Sequence, residues 1–243
     1  MTLLGSNAKL LKHNGEKYLI AGLTMAPHTL GGVGNVCESA TAGCKASCVL
    51  WFTGRTVTES VRAAMIRRTQ HFASDPQGFT RQLHKEINRH VRIALKGRLK
   101  PLVRLNVGSD LDWSQIAREH PDCTFYDYTK VRARLLDLGW PENYHLTYSR
   151  HEKSPALTVL GQLDRGGNVA AVFSTRYHPQ SGRIDPLPAE YTLHGHTFPV
   201  VDGDAFDPRL PELDGRGVIV GLRFKGSLKR RALAIRNGFC LEV

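Results

Sequence analysis

The strongest constraint on this chain is a recurrence of short stretches rich in β-branched and aromatic residues. They are KYLIAGL (17–23), LVRLNV (102–107), CTFYDYT (123–129), NYHLTYS (143–149), VAAVFST (169–175), TFPVV (197–201) and GVIVGLRF (217–224). Most are bounded by turn residues, as strands are. From position 102 onward, successive stretches begin about twenty to thirty residues apart. Three of the intervals, WSQIAREH, KVRARLLDLG and ALTVLGQL, carry helical periodicity. Strand, helix and strand at this spacing imply right-handed βαβ units and a parallel sheet. The predicted fold class is therefore α/β: a complete or partial (β/α) barrel with mainly parallel strands, with an open doubly wound sheet as the alternative.

The chain has 243 residues, of which 41% are hydrophobic. That is enough to bury one substantial core. No low-complexity tract or Pro/Gly/Ser-rich linker divides it, so a single domain over 1–243 is expected. No apolar leader follows the first methionine, and no stretch approaches the eighteen or so apolar residues of a membrane span. These features point to a cytoplasmic protein with no membrane partner.

Three of the five cysteines fall within CESATAGCKASC, residues 37–48, inside a loop at 25–55 that follows the first strand pattern. In a reducing compartment clustered thiols are metal ligands more often than disulfides, and an odd cysteine total fits a pure disulfide framework poorly. Cys123 and Cys240 each open a strand pattern, which would carry both to the far end of a parallel sheet and into its core. That leaves Cys37, Cys44 and Cys48 as the metal-ligating set. Structural zinc usually takes four protein ligands in two close pairs, and the C-x6-C-x3-C spacing offers no second pair, although His28 could be a fourth ligand. Three thiolates with one open iron suit a [4Fe–4S] cluster. Gly31, Gly32, Gly34 and Gly43 would let the loop wrap closely around it.

In a parallel sheet the residues leaving each strand gather at one end, where such folds place their chemistry. Here those exits are polar: Asn106, Ser109 and Asp110; Thr129 and Lys130; Ser149 and Arg150; Ser174, Thr175 and Arg176; Asp202 and Asp204; Lys225. Asp110, Lys130, Arg150 and Arg176 are the candidate catalytic residues. Ser109, Asp110 and Ser174 are the candidates for binding a cofactor.

The formal charge is +11, unevenly spread. Residues 62–100 carry ten Arg or Lys against two acidic residues. Within them Leu83, Ile87, Val91 and Leu95 repeat every four positions as a buried stripe, with Arg81, Lys85, Arg89, Arg92 and Lys96 off it. Such a segment suits nucleic acid or another phosphate-bearing anion, or simply a solvated face.

The ordered set CESATAGCKASCVLWFTGR, FASDPQGFTRQLHKEI, VRLNVGSDLDW, FYDYTK, VVDGDAFDPRLP and GVIVGLRFKG resembles the phage protein family called gene product eighty-eight, from about residue 25 to 226. The resemblance implies a phage or prophage origin, hence the host cytoplasm. The cysteine loop after the first strand is in turn similar to that of radical S-adenosylmethionine enzymes. Their spacing is C-x3-C-x2-C, and GSD (108–110) stands here where they carry a Gly-Gly-Glu. That likeness implies an iron–sulfur enzyme whose open iron takes S-adenosylmethionine or a substrate. Two other readings stand beside it: a nucleic-acid-binding phage protein with a structural cluster or zinc, and a zinc hydrolase using His194 and His196 of HGH.

Overall fold

A computed structural model describes residues 1–7, 10, 15–54, 58–176, 178 and 180–243. Arg55, the last residue of the expected cysteine loop, lies outside them. The described strands are β1 (Leu4–Gly5), β2 (Tyr18–Leu23), β3 (Lys100–Arg104), β4 (Thr124–Thr129), β5 (Tyr144–Ser149), β6 (Val169–Phe173), β7 (Glu190–Leu193), β8 (His196–Asp202), β9 (Ile219–Arg223) and β10 (Cys240–Leu241). The helices are α1 (Ala42–Ala46), α2 (Val49–Phe52), α3 (Glu59–Ser74), α4 (Pro76–Lys96), α5 (Ser114–Arg118), α6 (Arg132–Leu136), α7 (Ala156–Asp164), α8 (Pro211–Asp214) and α9 (Leu228–Arg236). Among the described residues no helix is long and apolar enough to cross a membrane.

All ten strands join one sheet in the order β1-β2-β3-β4-β5-β6-β9-β8-β7, with β10 also paired to β6. From β2 through β6 to β9 and β8 every neighbouring pair is parallel; β1–β2 and β7–β8 are antiparallel. The sheet is open, with β1 and β7 at its edges, so the barrel expectation is corrected in favour of the open α/β alternative. Each edge strand reverses direction, and neither pairs with the other to close a ring.

Alternation along the strands sorts the core into two layers. Val103, Leu105 and Phe125 pack with Phe79, Leu83 and Ile87 of α4 and with Ile116 and Ala117 of α5. Val169, Ala171 and Phe173 pack on the same face with Val159 and Leu163 of α7. On the other face Ile20, Leu102 and Tyr126 meet Leu10 and Leu210, while Val172 faces Ala234 and Ile235 of α9. The Leu210 segment also carries buried charge. Arg104 Nη1 lies 2.9 Å from Asp207 Oδ1, and the Tyr126 hydroxyl donates to Asp207 Oδ2 at 2.7 Å.

Three expectations change. First, α4 buries Phe79, Leu83, Ile87 and Ala94, whereas Leu95 is 58% exposed. A repeat of four overshoots the helical turn by about 40° each time, so twelve residues on the stripe has rotated away and Ala94 takes the buried place. Second, Cys123 sits just before β4 as expected, but β10 is only two residues long and pairs Cys240 with Val172 near the C-terminal end of β6. Cys240 is buried there in a cluster against which Cys44 packs, at the same end as the cysteine loop rather than the far one. Third, His194 and Gly195 form the turn between β7 and β8, with φ of 52° and 83°. That is the left-handed geometry of a tight hairpin, so HGH is not a run of strand with two histidines on one face.

Candidate functional site

The cysteine loop leaves β2 and crosses the C-terminal end of the parallel strands. Its three thiols lie within electrostatic reach of one another. All five described cysteines are free, and those of the loop are half-buried. His28 takes a left-handed φ of 43° and its backbone N–H donates to Cys37 Sγ at 3.2 Å. The same sulfur lies 3.5 Å from the Gly108 carbonyl. Cys44 rides on α1, whose N-cap Thr41 accepts from the Cys44 N–H at 3.2 Å. Cys48 caps α2 through its backbone, its carbonyl accepting from the Trp51 N–H at 3.2 Å and the Phe52 N–H at 3.1 Å.

Burial pushes the Cys37 thiol up to about 11; the His28 N–H opposes this, while Cys44, Cys48 and Asp110 add to it. Burial also raises Cys48, against the pull of the Trp51 and Leu50 N–H groups and the Lys130 ammonium. The three sulfurs therefore sit near enough for charge on one to disfavour charge on another, which is the condition a bound cation relieves. As the side chains stand, no group of three or more His, Cys, Asp or Glu among the described residues is arranged to hold a metal ion. The His28 ring nitrogen Nδ1 lies 3.3 Å from Thr29 Oγ1.

Four distant elements fix the loop. From α3, Thr69 Oγ1 accepts from the Ala26 N–H at 2.9 Å, and Arg62 donates to the Trp51 carbonyl at 2.7 Å with its guanidinium 4.6 Å from the Trp51 ring. From α9, Arg230 donates to the Ala46 carbonyl at 2.7 Å and lies 3.5 Å over Phe52. After β3, the Asp110 N–H donates to Val36 at 2.8 Å, and Gly108 lies so close to Leu50 and Met25 that a side chain there would collide. After β5, Glu152 accepts from the Thr41 hydroxyl and from the Gly43 N–H, both at 2.8 Å.

The residues expected from the strand exits divide between several tasks. Lys130 stands beside the cysteines: its ammonium donates to Ser149 Oγ at 2.6 Å and has no carboxylate partner among the described residues. It also helps to lower His151, whose ring is depressed mainly by burial. Asp110 accepts from Thr129 Oγ1, the Lys130 N–H and Arg134 Nη1, each at 2.8 Å, and Arg134 continues to Glu38 at 2.9 Å. Ser109 donates to Asn106 Oδ1 at 2.8 Å, an oxygen that also receives the Leu111 N–H and the Trp113 ring N–H. Arg150 donates to the Gly238 and Phe239 carbonyls, and Ser174 Oγ accepts from the Val243 N–H, so both hold the end of the chain. Arg176 sits 3.2 Å from His178 Nδ1, in a group with Asp185. Asp202 and Asp204 are taken up by Arg223 and Lys225.

Glu152, Arg134 and Arg230 were not foreseen from the sequence. Each serves the loop across a long sequence separation, and nothing local to them marks that role.

A family model described as gene product 88 matches residues 1–242. The chain belongs to the gene product 88 family. It is thus a member of a phage gene product family, as the ordered motifs implied. No curated protein and no solved structure matches the chain.

Proposed function

We propose that this gene product 88 family member carries a [4Fe–4S] cluster on Cys37, Cys44 and Cys48 and is a cluster-dependent enzyme that takes an anionic small molecule at the open iron. The observation that carries the reading is the mutual interaction of three thiols on one loop, one of which already accepts a backbone N–H group. Donors of this kind stabilise thiolates and cluster sulfides and tune cluster potential. A cuboidal cluster places each thiolate on a different iron and so asks for a wider triangle of sulfurs than one zinc ion does.

The cluster, when bound, would supply one-electron chemistry or a Lewis-acidic iron. The chain's own contribution is positional. The His28 N–H is held on the Cys37 sulfur, the Trp51 and Leu50 N–H groups favour charge on Cys48, and Glu152 and Arg230 hold α1 and α2 in place. Lys130 offers an ammonium held by a hydroxyl instead of a carboxylate, and that charge is free to meet a carboxylate or phosphate. S-adenosylmethionine is the finer candidate for that molecule. Ser109, Asp110 and Ser174, the groups expected to bind it, are engaged with Asn106, Thr129, Arg134 and Val243, so Lys130 is the stronger anchor.

Anaerobic purification with iron and sulfide analysis and an optical spectrum tests the reading. The expected result is about four irons and four sulfides per chain with broad absorption near ~400 nm. Stoichiometric zinc, or a colourless protein after reconstitution with iron and sulfide, would overturn it.

A further inference from the structure

Eight of the ten cations of the basic segment fall into two groups once it is folded. Arg62, Arg68 and Lys100 have internal tasks: Arg62 on Trp51, Arg68 on the Thr2 and Thr24 carbonyls, and Lys100 on Glu212. Arg81, Lys85, Arg89, Arg92 and Lys96 are all exposed on α4, and none has an ion-pair partner among the described residues. The two acids of the segment do not offset them. Asp75 caps the start of α4 by accepting from the Gly78 N–H, and Glu86 accepts from the Leu3 and Leu4 N–H groups.

At about 100° per residue, these five cations fall within an arc of about 80° centred almost opposite the buried Phe79, Leu83, Ile87 and Ala94. They form a straight row about 22 Å long, at 1.5 Å of rise per residue. Helix α4 is packed along its apolar face onto the sheet, so the row is rigid and turned outward. Asn88 lies alongside, and the shallow depression between Lys85, Arg92 and Leu95 contains one acid, Asp122.

We propose that this face of α4 is a docking surface for the phosphate backbone of double-stranded DNA, bound without regard to sequence. The charge is complementary, and three of the five cations are arginines, whose forked donors match phosphate oxygens. Single strands are held by stacking bases on aromatic rings, and the outward row of α4 presents none. An anionic membrane would draw in an apolar wedge, whereas Phe79, Leu83 and Ile87 of α4 are spent on the core and the exposed apolar side chains are just Ile93 and Leu95. The major groove of B-form DNA is wide enough for a helix flanked by phosphates, whereas that of A-form RNA is deep and narrow. The row faces outward, opposite the buried stripe of α4 that shares a core with Val36 and Cys37 of the cysteine loop.

Fluorescence anisotropy with a random-sequence DNA duplex, titrated at several salt concentrations, decides the matter. The full-length protein is expected to bind with a log–log salt slope of roughly −4 to −5, and the triple variant Arg89→Gln, Arg92→Gln, Lys96→Gln should be shallower by about 2 to 3. Circular dichroism checks that the variant is folded. A variant of equal charge change elsewhere, Lys153→Gln with Arg183→Gln and Lys229→Gln, should keep the parent slope. No binding by the parent at low salt, or an unchanged slope in the α4 variant, would overturn the proposal. Tighter binding to a single strand, to an RNA duplex or to phosphatidylserine vesicles would also overturn it.

Discussion

Glu152, in the loop after β5, grips the backbone of Gly43 in the cysteine loop: Oε1 accepts the Gly43 N–H and Oε2 the Thr41 hydroxyl, both at 2.8 Å. A Cβ on Gly43 would stand 2.7 Å from Glu152 Oε2, so the carboxylate and the bare backbone require each other. Glu152 is held below the usual carboxylate range, since the hydrogen bonds from Thr41 and Gly43 outweigh the opposing effect of burial. Glu152→Ala is expected to weaken the closed loop by about 1–2 kcal/mol. Hydrogen exchange at residues 41–48 should then accelerate while the core strands stay protected. Gly43→Ala should do the same, and unchanged exchange in both variants would show that the clamp is not what orders α1.

The proposed ligand set gives a second prediction. Cys37→Ser, Cys44→Ser and Cys48→Ser should each abolish or cripple iron incorporation. Cys123→Ser and Cys240→Ser should leave iron content unchanged, since neither thiol bears on Cys37 or Cys48. Cys240 is the sharper control, because it lies in the cluster on which Cys44 packs. Iron loss in Cys240→Ser would make it a ligand.

Lys130 yields a third. Its ammonium bears on Cys48, and positive charge near a cluster stabilises the reduced, more negative state. Lys130→Gln is therefore expected to lower the reduction potential of the reconstituted protein in a dye-mediated titration, with iron content unchanged. An unaltered potential would place the ammonium outside the field of the cluster.

The Leu210 segment supplies a fourth, about stability alone. Asp207 is fully buried between Arg104 and the Tyr126 hydroxyl. Asp207→Ala would take its hydrogen-bonded carboxylate from the Arg104 guanidinium and leave it Asp127 at 3.7 Å, at a cost of about 3–5 kcal/mol. Urea denaturation should show the midpoint falling accordingly; a shift below about 1 kcal/mol would mean that Arg104 finds another partner.

A fifth concerns pH. His90 Nε2 lies 3.0 Å from the Leu19 carbonyl and 3.1 Å from that of Leu102, tying α4 to β2 and β3, and burial depresses its pKa. The unfolded chain, with histidine near 6.5, then binds a proton that the folded chain does not. Stability is complete above pH about 6.5 and falls as the pH drops from there through the lowered folded value. His28, His120, His145 and His151 are depressed by burial in the same direction. His90→Gln should flatten the acid limb of stability against pH by up to about 1.4 kcal/mol per pH unit, one proton's worth. An identical slope in parent and variant would show that His90 titrates alike in both states.

What the sequence determined by itself is what neighbours along the chain decide. The strand and helix recurrence, the three-thiol loop after the first strand and the basic outward face of α4 all rest on spacing within a few residues, and the fold keeps all three. Tertiary structure decided what depends on partners far away in sequence. Whether the sheet closes turns on the edge strands β1 and β7, whose antiparallel pairing no local pattern announces. The position of Cys240 turns on where a two-residue strand meets β6. The exit residues were legible as polar but not by task, because Arg150 and Ser174 meet the chain's end, and Lys130 the cysteines, only when the strands are set side by side. The Glu152 clamp spans 111 residues to Thr41. Such a contact is selected by the register of a whole sheet, and a carboxylate in a loop looks the same in sequence whether it meets water or holds a cysteine loop shut.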